Sequence, residues 1–261
     1  MLTNNLFKVD NSDQKDEFHY FRNIRTFLKS HGFSVHHTDV DWDGRLVSRG
    51  GELKDQVEAI LQSTGSPRAH IIGHSMGGLD ARQMLWANRE AAFHEKIASL
   101  TTIGAPHHGT PFADFLAQGL AADALALGIA FEGILDLRTE AMEVFNAKVS
   151  DWERQNGVRY RAYAGQQELI HIFSPLKFSW LIIRSAAGDN DGFVPVSSAR
   201  WNDDYFVPPV LDADHLNQIG WWDDSEAWRG VGPDELEDRI QTLYLDIARG
   251  LAHEFPLDEA E

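Results

Sequence analysis

Gly73-His74-Ser75-Met76-Gly77 decides the fold of this chain, and it fits the pattern G-x-S-x-G. The apolar run 69–72 leads into it, and the helix-like stretch 79–85 follows it. A strand, a sharp turn and a helix in this order predict a nucleophile elbow, where strained backbone angles lift the Ser75 hydroxyl out of the sheet. The flanking glycines let strand and helix pass closely, and the first free N–H groups of the helix point at the atom that the serine attacks. The alternative is a glycine-rich strand–helix turn whose serine has no chemical role.

Strand-like and helix-like segments alternate along the rest of the chain. The predicted helices cover 18–28, 53–61 and 233–247, and the predicted strands cover 33–40, 69–72, 98–103 and 159–164. This alternation predicts an α/β fold, a mostly parallel sheet with helices on both faces. The chain has 261 residues, of which 43% are hydrophobic, so it can bury a sizeable core. Because no repeat or low-complexity linker divides it, we predict one domain over 1–261.

Residues 110–150 interrupt the alternation, because they lie between consecutive predicted strands and are too long for an ordinary connection. They are rich in Phe, Leu and Ile and carry few charges before Asp136. One interpretation is one or two core helices, and the other is a helical lid insertion over an apolar acyl pocket. We predict the lid, since long insertions in compact domains are often lids or binding loops. A second irregular region, 165–186, is aromatic and predicts no definite element.

A nucleophilic serine needs a base to take its proton and an acid to orient that base. In the chain order serine, acid, histidine, the candidates for the base are His215 and His253. His215 lies in the loop-like stretch 211–216, and late loops of this kind carry functional residues. His253 lies near the end of the last predicted helix, where a surface position at the helix C-terminus is expected. His215 is therefore the predicted base.

The predicted acid is Asp191, which lies in the turn 189–195, at a position that we interpret as a strand end. Asp189 is the alternative, and its other role would be an Asx turn. The remaining acids of this region lie in charge clusters that predict solvent exposure: Asp203, Asp204, Asp212 and Asp214.

Three further histidines lie close to these motifs. His74 precedes the nucleophile and is in the wrong chain order for the base, so we expect it to pack under the turn. His107 and His108 follow a predicted strand. A structural or pocket-wall role is expected for them rather than metal binding, because no carboxylate or third histidine lies nearby in the sequence.

The composition excludes several function classes. A formal net charge of −17 argues against a nucleic-acid partner, since phosphate binding requires clustered Lys and Arg. The absence of cysteine excludes disulfides and thiolate zinc sites. No apolar run reaches the length of about 18 residues that a membrane span needs, although a local apolar patch can still dock on lipid.

The first residues of the chain bear on its localisation. Residues 1–6 lack the basic start and the apolar core of a signal peptide. The expectation is a cytoplasmic protein for the chain as written, or a secreted one if an N-terminal segment is missing from it.

Four blocks of the chain resemble the bacterial triacylglycerol lipases of the α/β-hydrolase superfamily. These blocks are residues 71–79, 101–110, 190–196 and 214–216, and they occur in the order of that family. The resemblance implies an α/β-hydrolase fold and ester hydrolysis, with Ser75 as nucleophile, Asp191 as acid and His215 as base. It also implies the Met76 N–H as one oxyanion donor and residues 110–150 as a mobile lid.

The start of the chain departs from that family. Lipases of this type begin with an apolar strand that ends in His-Gly, and the next residue supplies the second oxyanion donor. Residues 4–7 read Asn-Asn-Leu-Phe instead, and the segment before them is too short for a core parallel strand. We therefore expect the N-terminal strand to be missing or truncated, and we assign Leu6 as the second donor.

A second departure concerns calcium. Related lipases often hold a calcium ion with a carboxylate two residues after the histidine. Asn217 occupies that position here, and Trp221 stands where a further side-chain oxygen is expected. Because calcium prefers several oxygen ligands with carboxylates among them, we predict that no cofactor is required and do not favour a calcium site.

Three functions are compatible with these motifs. The predicted one is a serine ester hydrolase, a lipase or carboxylesterase, that cleaves acylglycerols or other lipid esters and contacts the lipid interface through its lid. An acyltransferase or amidase would use the same three residues. A non-catalytic protein on a hydrolase scaffold would explain the absent His-Gly strand. Acyl-chain preference and oligomeric state stay open.

Overall fold

The main sheet has three parallel strands in the order β1, β2, β3. The computed structural model describes residues 13–41, 44–118, 131–223 and 232–257. The strands are Ala69–His74 (β1), Ile97–Ile103 (β2) and Arg159–Tyr163 (β3). Every residue of the central strand β2 is buried, as expected for a parallel strand that is covered on both faces. A second, short parallel pair joins Gly165–Gln166 (β4) to Leu211–Asp212 (β5).

The helices of the described part connect and cover these strands. In chain order they are Ile24–Ser30 (α1), Leu46–Thr64 (α2), Met76–Ala87 (α3), Pro111–Ala117 (α4), Phe131–Leu135 (α5), Thr139–Glu153 (α6), Lys177–Ala187 (α7), Val196–Ala199 (α8) and Pro233–Glu254 (α9). Pro233 is the first residue of the last helix, as predicted. Proline is tolerated there because an N–H at that position would have no intrahelical acceptor. Within the described ranges, every helix is too short or too polar to cross a lipid bilayer.

Helices cover both faces of the sheet. On one face, Leu53 of α2 and Met84 of α3 pack in a cluster with Leu100 of β2. On the other face, Leu28 of α1 and several residues of α9 pack with Ile103 of the same strand. The two strand residues point to opposite faces because side chains alternate along a strand. The predicted α/β architecture is confirmed.

The carboxyl ends of the three strands lie at one edge of the sheet. The register pairs His74 with Ile103, and Ile103 with Tyr163. Since the strands are parallel, the loops that leave this edge begin side by side at Ser75 and Gly104. Ligands of open α/β sheets bind at this edge.

Two predicted segments differ in detail from the structure. Residues 33–40 alternate partly buried and exposed side chains, as a strand does, but form no ladder with the described residues. The aromatic region 165–186 contains β4, short 3₁₀ turns and most of α7. The turn 189–195 therefore follows a helix, and its interpretation as a strand end was wrong. The predictions of a missing or truncated first strand and of Leu6 as a donor concern residues outside the described part of the chain.

The described parts of the predicted lid pack into the interior. Leu116 of α4, Ile134 of α5 and Met142 of α6 share a buried cluster with Leu79 of α3. These flanks therefore have the character of core helices, which was the alternative interpretation of residues 110–150. Residues 119–130 lie outside the described part, and the lid stays a prediction.

Candidate active site

Ser75 lies at the sharp turn between β1 and α3. Its backbone angles are φ 53° and ψ −129°, and it precedes the first residue of the helix. A positive φ is strained for a residue with a side chain, and such strain persists only where the surrounding structure enforces it. Here the Ser75 N–H donates to the carbonyl of Ile103, 3.0 Å away, which ties the turn to the neighbouring strand. The predicted elbow geometry is therefore present.

Two glycines of the elbow differ in the space around them. A Cβ on Gly73 would lie 2.7 Å from the Gly78 nitrogen and 2.8 Å from the Gly77 carbonyl carbon. Both are backbone atoms, which cannot move aside as a flexible side chain can. A Cβ on Gly77 would meet nothing within 4 Å. The tight approach of strand and helix therefore depends on Gly73.

We expect Gly73→Ala to lower the free energy of unfolding by about 3 kcal/mol or more, because overpacking against a fixed backbone is costly. The matched variant Gly77→Ala should leave it unchanged or raise it by up to about 1 kcal/mol, since alanine is the better helix former. Urea unfolding of both variants and the wild type measures the difference. Equal unfolding energies for the two variants would contradict the geometry.

The structure brings Ser75, His215 and Asp191 together, although 140 residues separate the first two. His215 Nε2 lies 2.9 Å from Ser75 Oγ, and His215 Nδ1 lies 2.8 Å from Asp191 Oδ2. An ionised carboxylate only accepts hydrogen bonds, so Nδ1 carries the ring proton and Nε2 is free to accept from the serine hydroxyl. All three residues are buried, and Asp191 is fully so. This is the arrangement that activates a serine for attack.

The Asp191 carboxylate is held by donors on both oxygens. Oδ1 accepts from the backbone N–H groups of Phe193 and Val194, at 2.9 and 2.7 Å. Oδ2, which faces His215, also accepts from Gln218 Nε2 at 2.9 Å. The backbone N–H of His215 in turn donates to the Asp191 carbonyl, 2.8 Å away. The carboxylate is thereby fixed in position and orientation.

The alternative acid, Asp189, points away from this group of residues. It forms a surface ion pair with Arg184 and is mostly exposed. The turn that the sequence assigns to Asp189 is made by its neighbour Asn190, whose Oδ1 accepts from the Gly192 N–H at 2.9 Å. The structure therefore favours Asp191 over Asp189.

Asp214 corrects the expectation that the acids around His215 are solvated. It is fully buried, and its Oδ1 accepts from the N–H groups of Leu216 and Asn217 at 2.9 and 2.7 Å. Its Oδ2 accepts from the Phe173 N–H at 2.6 Å. An Asp side chain that accepts from the N–H groups two and three residues later forms an Asx turn. An Asp in a loop-like stretch is the sequence signal that could have indicated this role. Asp214 therefore shapes the loop that carries His215.

His74 lies behind the candidate base, as the packing prediction expects. Its ring centroid is 4.5 Å from that of His215, and its Nδ1 lies 2.7 Å from the Tyr20 hydroxyl oxygen. Burial lowers the pKa of His74 well below its ordinary value, with the nearby His215 as a second cause. His74 is therefore a neutral ring that supports the base, and it does not contact the serine hydroxyl.

His107 belongs to a buried structural network. Its ring stacks on Trp201 at 4.0 Å, its Nε2 lies 2.9 Å from Thr102 Oγ1, and its Nδ1 lies 3.2 Å from the Arg82 guanidinium. Burial lowers the pKa of His107 well below its ordinary value, with the Arg82 charge as a second cause. His108 donates through Nε2 to the Trp201 carbonyl at 2.6 Å. Both histidines have structural partners, as predicted.

Among the described residues, Asp16, His19 and His37 form a group with metal-ligand atoms. The Nδ1 atoms of the two histidines are 3.0 Å apart. Arg25 lies against this group, with Nε 3.5 Å from Asp16 Oδ1 and Nη2 3.3 Å from His19 Nε2. The Arg25 guanidinium provides the positive charge that a bound cation would otherwise provide. We therefore interpret Asp16, His19 and His37 as part of an ion-pair network with Arg25.

The two residues at the predicted calcium position, Asn217 and Trp221, hydrogen-bond within the protein. Asn217 Oδ1 accepts from the Asp214 N–H at 3.0 Å, and Asn217 Nδ2 donates to the Trp221 carbonyl at 3.0 Å. The Asn217 amide oxygen and the Trp221 carbonyl oxygen therefore each already accept a hydrogen bond from the protein. The Asn217 amide thereby closes this loop by hydrogen bonds, and it contributes none of the carboxylate charge that calcium prefers.

Comparison with known proteins identifies the family of this chain. The family described as PGAP1-like alpha/beta domain matches residues 13–119, which include the elbow. Triacylglycerol lipase 2 of Saccharomyces cerevisiae is 30% identical in an alignment that covers 94% of this chain and 79% of that protein. The chain belongs to the triacylglycerol lipase family. A triacylglycerol lipase of Vibrio cholerae is 28% identical, over 84% of this chain and 78% of that protein.

A solved structure shows the same fold. A lipase from Bacillus licheniformis, in its mature form, superposes with a TM-score of 0.62 at 22% identity. The match covers 80% of this chain and 82% of that one. The resemblance read from the four sequence blocks is confirmed: this member of the lipase family is an ester hydrolase with an α/β-hydrolase fold.

Proposed function

We propose that this lipase-family protein hydrolyses carboxylic esters of lipids through an acyl-enzyme on Ser75. The observation that carries the proposal is the unbroken hydrogen-bond chain from Ser75 Oγ through His215 to Asp191. The relatives named triacylglycerol lipase support lipid esters, acylglycerols among them, as the substrate class. Ser75 is the nucleophile, His215 the general base and acid, and Asp191 the group that orients the imidazole.

The chemistry follows from the protonation states. His215 Nε2 takes the hydroxyl proton as Ser75 Oγ bonds to the ester carbonyl carbon, and the carbonyl π electrons move to oxygen. The imidazolium then returns that proton to the departing alkoxide, which leaves as the alcohol. Water repeats the sequence on the acyl-enzyme, releasing the carboxylic acid and restoring Ser75. Asp191 holds the imidazole in this tautomer and stabilises the imidazolium.

We assign one of the two donors to the oxyanion to the elbow. Met76 is the first residue of α3, so its N–H lies among the helix donors that have no intrahelical acceptor. A donor of this kind, aimed at the developing alkoxide, contributes about 10²–10³-fold in rate. We retain Leu6 as the proposed second donor, in the part of the chain outside the described residues.

Aromatic side chains connect the site to the surface. The Phe193 ring lies 5.2 Å from the His215 ring, and Phe112 lies 5.8 Å from Phe193. Phe178 lies 6.5 Å from Phe112, and its side chain is 55% exposed. Nearby in the chain, Leu181 on α7 is 52% exposed. This apolar surface around Phe178 and Leu181 offers contact with a lipid interface, in keeping with a lipid ester as substrate.

The experiment that tests the proposal combines covalent labelling with a substrate series. A fluorophosphonate should form a single adduct, and peptide mapping should place it on Ser75. Hydrolysis of p-nitrophenyl esters of increasing acyl length should proceed with the longer chains included. A folded protein that neither reacts with the fluorophosphonate nor cleaves any ester would contradict the proposal and favour a non-catalytic scaffold. Product analysis with added alcohol separates hydrolysis from acyl transfer.

We also propose that activity needs no calcium, because the Asn217 amide closes the loop that carries His215. EGTA should leave kcat/KM and the unfolding temperature unchanged. The variant Asn217→Asp should unfold at a lower temperature in EGTA, because a carboxylate has no hydrogen to donate to the Trp221 carbonyl. A wild-type protein that loses activity in EGTA and regains it with calcium would contradict this prediction.

A further inference from the structure

Gln218 is a buried side chain next to the candidate triad, and the mechanism above gives it no role. It lies in the 3₁₀ turn Asn217–Ile219 and is fully buried. Its backbone is fixed on both sides: its N–H donates to the Asp214 carbonyl at 3.2 Å, and its carbonyl accepts from the Tyr244 hydroxyl of α9 at 3.0 Å. A glutamine side chain loses considerable rotamer freedom when it is ordered, so a fixed and buried one requires an explanation.

The Gln218 amide occupies a slot between the ends of β2 and β3. A Cβ on Gly104 would lie 2.3 Å from its Oε1, and a Cβ on Gly165 would lie 2.3 Å from its Nε2. Any larger residue at either position would collide with the amide. The two glycines thus provide the space through which the amide reaches the carboxyl edge of the sheet.

The Gln218 amide ends on the same oxygen that His215 uses. Its Nε2 donates to Asp191 Oδ2 at 2.9 Å, and His215 Nδ1 lies 2.8 Å from that oxygen. A donor there removes rotational freedom from the carboxylate while leaving the second lone pair of Oδ2 directed at the imidazole. Because glutamine is neutral, it does this without adding charge to the pair.

We propose that Gln218 is a positioning residue for the ester hydrolase reaction, which holds Asp191 in the orientation that His215 requires. This inference rests on the proposed roles of Ser75, His215 and Asp191. The amide donor makes the Oδ2–Nδ1 bond geometry independent of substrate, so the imidazole stays directed at Ser75 through both half-reactions.

The groups that face Gln218 allow the effect of a titratable side chain at this position to be followed in the pH profile of kcat/KM. His74 and Tyr244 lie against it, and burial keeps both uncharged, since it lowers the pKa of His74 and raises that of Tyr244. The charged neighbours are then Asp191 and, during catalysis, the His215 imidazolium. A carboxyl placed at residue 218 would lie against the Asp191 carboxylate, and because two carboxylates in contact do not both ionise, the two would share one proton.

The test uses Gln218→Leu and Gln218→Glu, with Gln83→Leu as the matched control. Gln83 is also a buried glutamine, on α3, where its side chain packs near Gly50. Gln218→Leu should lower kcat by about 10- to 100-fold with little change in KM, as is typical when a partner that orients a functional group is lost. Gln218→Glu keeps the shape, and its protonated carboxyl can still donate to Asp191 Oδ2. As the pH rises that proton is lost and the two carboxylates repel, so kcat/KM should fall on a basic limb that the wild type lacks. Gln83→Leu should change neither.

Three controls decide between the outcomes. The fluorophosphonate titre counts folded sites, so a fall in kcat that is matched by the same fall in titre would overturn the proposal. Unchanged kcat in Gln218→Leu together with a wild-type pH profile in Gln218→Glu would also overturn it. If Gln218→Leu does not fold, the pH profile of Gln218→Glu still decides. Ser75→Ala is assayed alongside: full activity in that variant would refute the proposed function itself, whereas its inactivity with unaffected Gln218 variants would refute only the role of Gln218.

Discussion

Replacing Ser75 by alanine is expected to lower kcat for a p-nitrophenyl ester by about 10⁶-fold, the loss seen when a serine hydrolase loses its nucleophile. The reason is geometric: Ser75 Oγ is the atom that His215 Nε2 faces at 2.9 Å, and alanine leaves that base without a proton to take. The elbow itself should persist, because alanine retains the Cβ and the backbone bonds of the turn. Steady-state kinetics measure the change, and a circular dichroism melt confirms that the variant is folded.

The other two members of the constellation provide the controls. Adding His215→Ala to Ser75→Ala should cost little more, since residues that act as a unit are not additive. Asp191→Asn should lower kcat by about 10⁴-fold because it favours the wrong imidazole tautomer. Its near neighbour Asp189 forms a surface ion pair, so Asp189→Asn should stay within about twofold of wild type. Substantial activity in Ser75→Ala would mean that another residue attacks the ester.

Replacing Arg82 by methionine is expected to lower the free energy of unfolding by about 3–5 kcal/mol, because it leaves a buried carboxylate without its partner. Arg82 is fully buried on α3, and its Nε and Nη2 donate to the two oxygens of Glu153 on α6 at 2.8 and 3.0 Å. It also donates to Asn146 Oδ1 at 2.8 Å and lies 4.3 Å above the Trp201 ring. Urea unfolding measures the loss.

Two further variants separate the buried pair from charge in general. Adding Glu153→Leu to Arg82→Met should recover much of the stability, because the pair is then replaced by apolar groups of similar size. Arg154→Met removes an exposed ion pair with Asp151 from the next position and should cost less than about 1 kcal/mol. The structural role assigned to Arg82 would be wrong if Arg82→Met and Arg154→Met unfolded at the same urea concentration.

The local elements and the order of the site residues were accessible from the sequence because each depends on neighbouring residues. The elbow needs a strand, two small residues and a helix around Ser75, and all of them are consecutive. Helix α2 and its end at Gly65 follow from apolar spacing and a glycine that adopts positive φ. The prediction of His215 and Asp191 used chain order and loop position, which are also readable from the sequence.

Burial of polar side chains was the main failure of the sequence analysis. Asp214 looks like one more acid in a charged cluster, yet it is fully buried and shapes the loop of His215. Arg82 and Glu153 lie 71 residues apart, and nothing in the local pattern of either helix indicates that they pair. Both cases depend on which distant segment covers the side chain, and hydrophobic periodicity carries no information about that.

The sequence by itself determined the alternation of strands and helices, the elbow and the residue types for acid–base chemistry, because local backbone preferences and side-chain periodicity govern these features. Only the tertiary structure decided that His215 Nε2 meets Ser75, that Asp191 and not Asp189 lies behind it, and that Gln218 shares its carboxylate. These contacts arise where the carboxyl ends of parallel strands converge, far apart in the chain. Their distances follow from how the whole sheet and its helices pack, which no local stretch of sequence specifies.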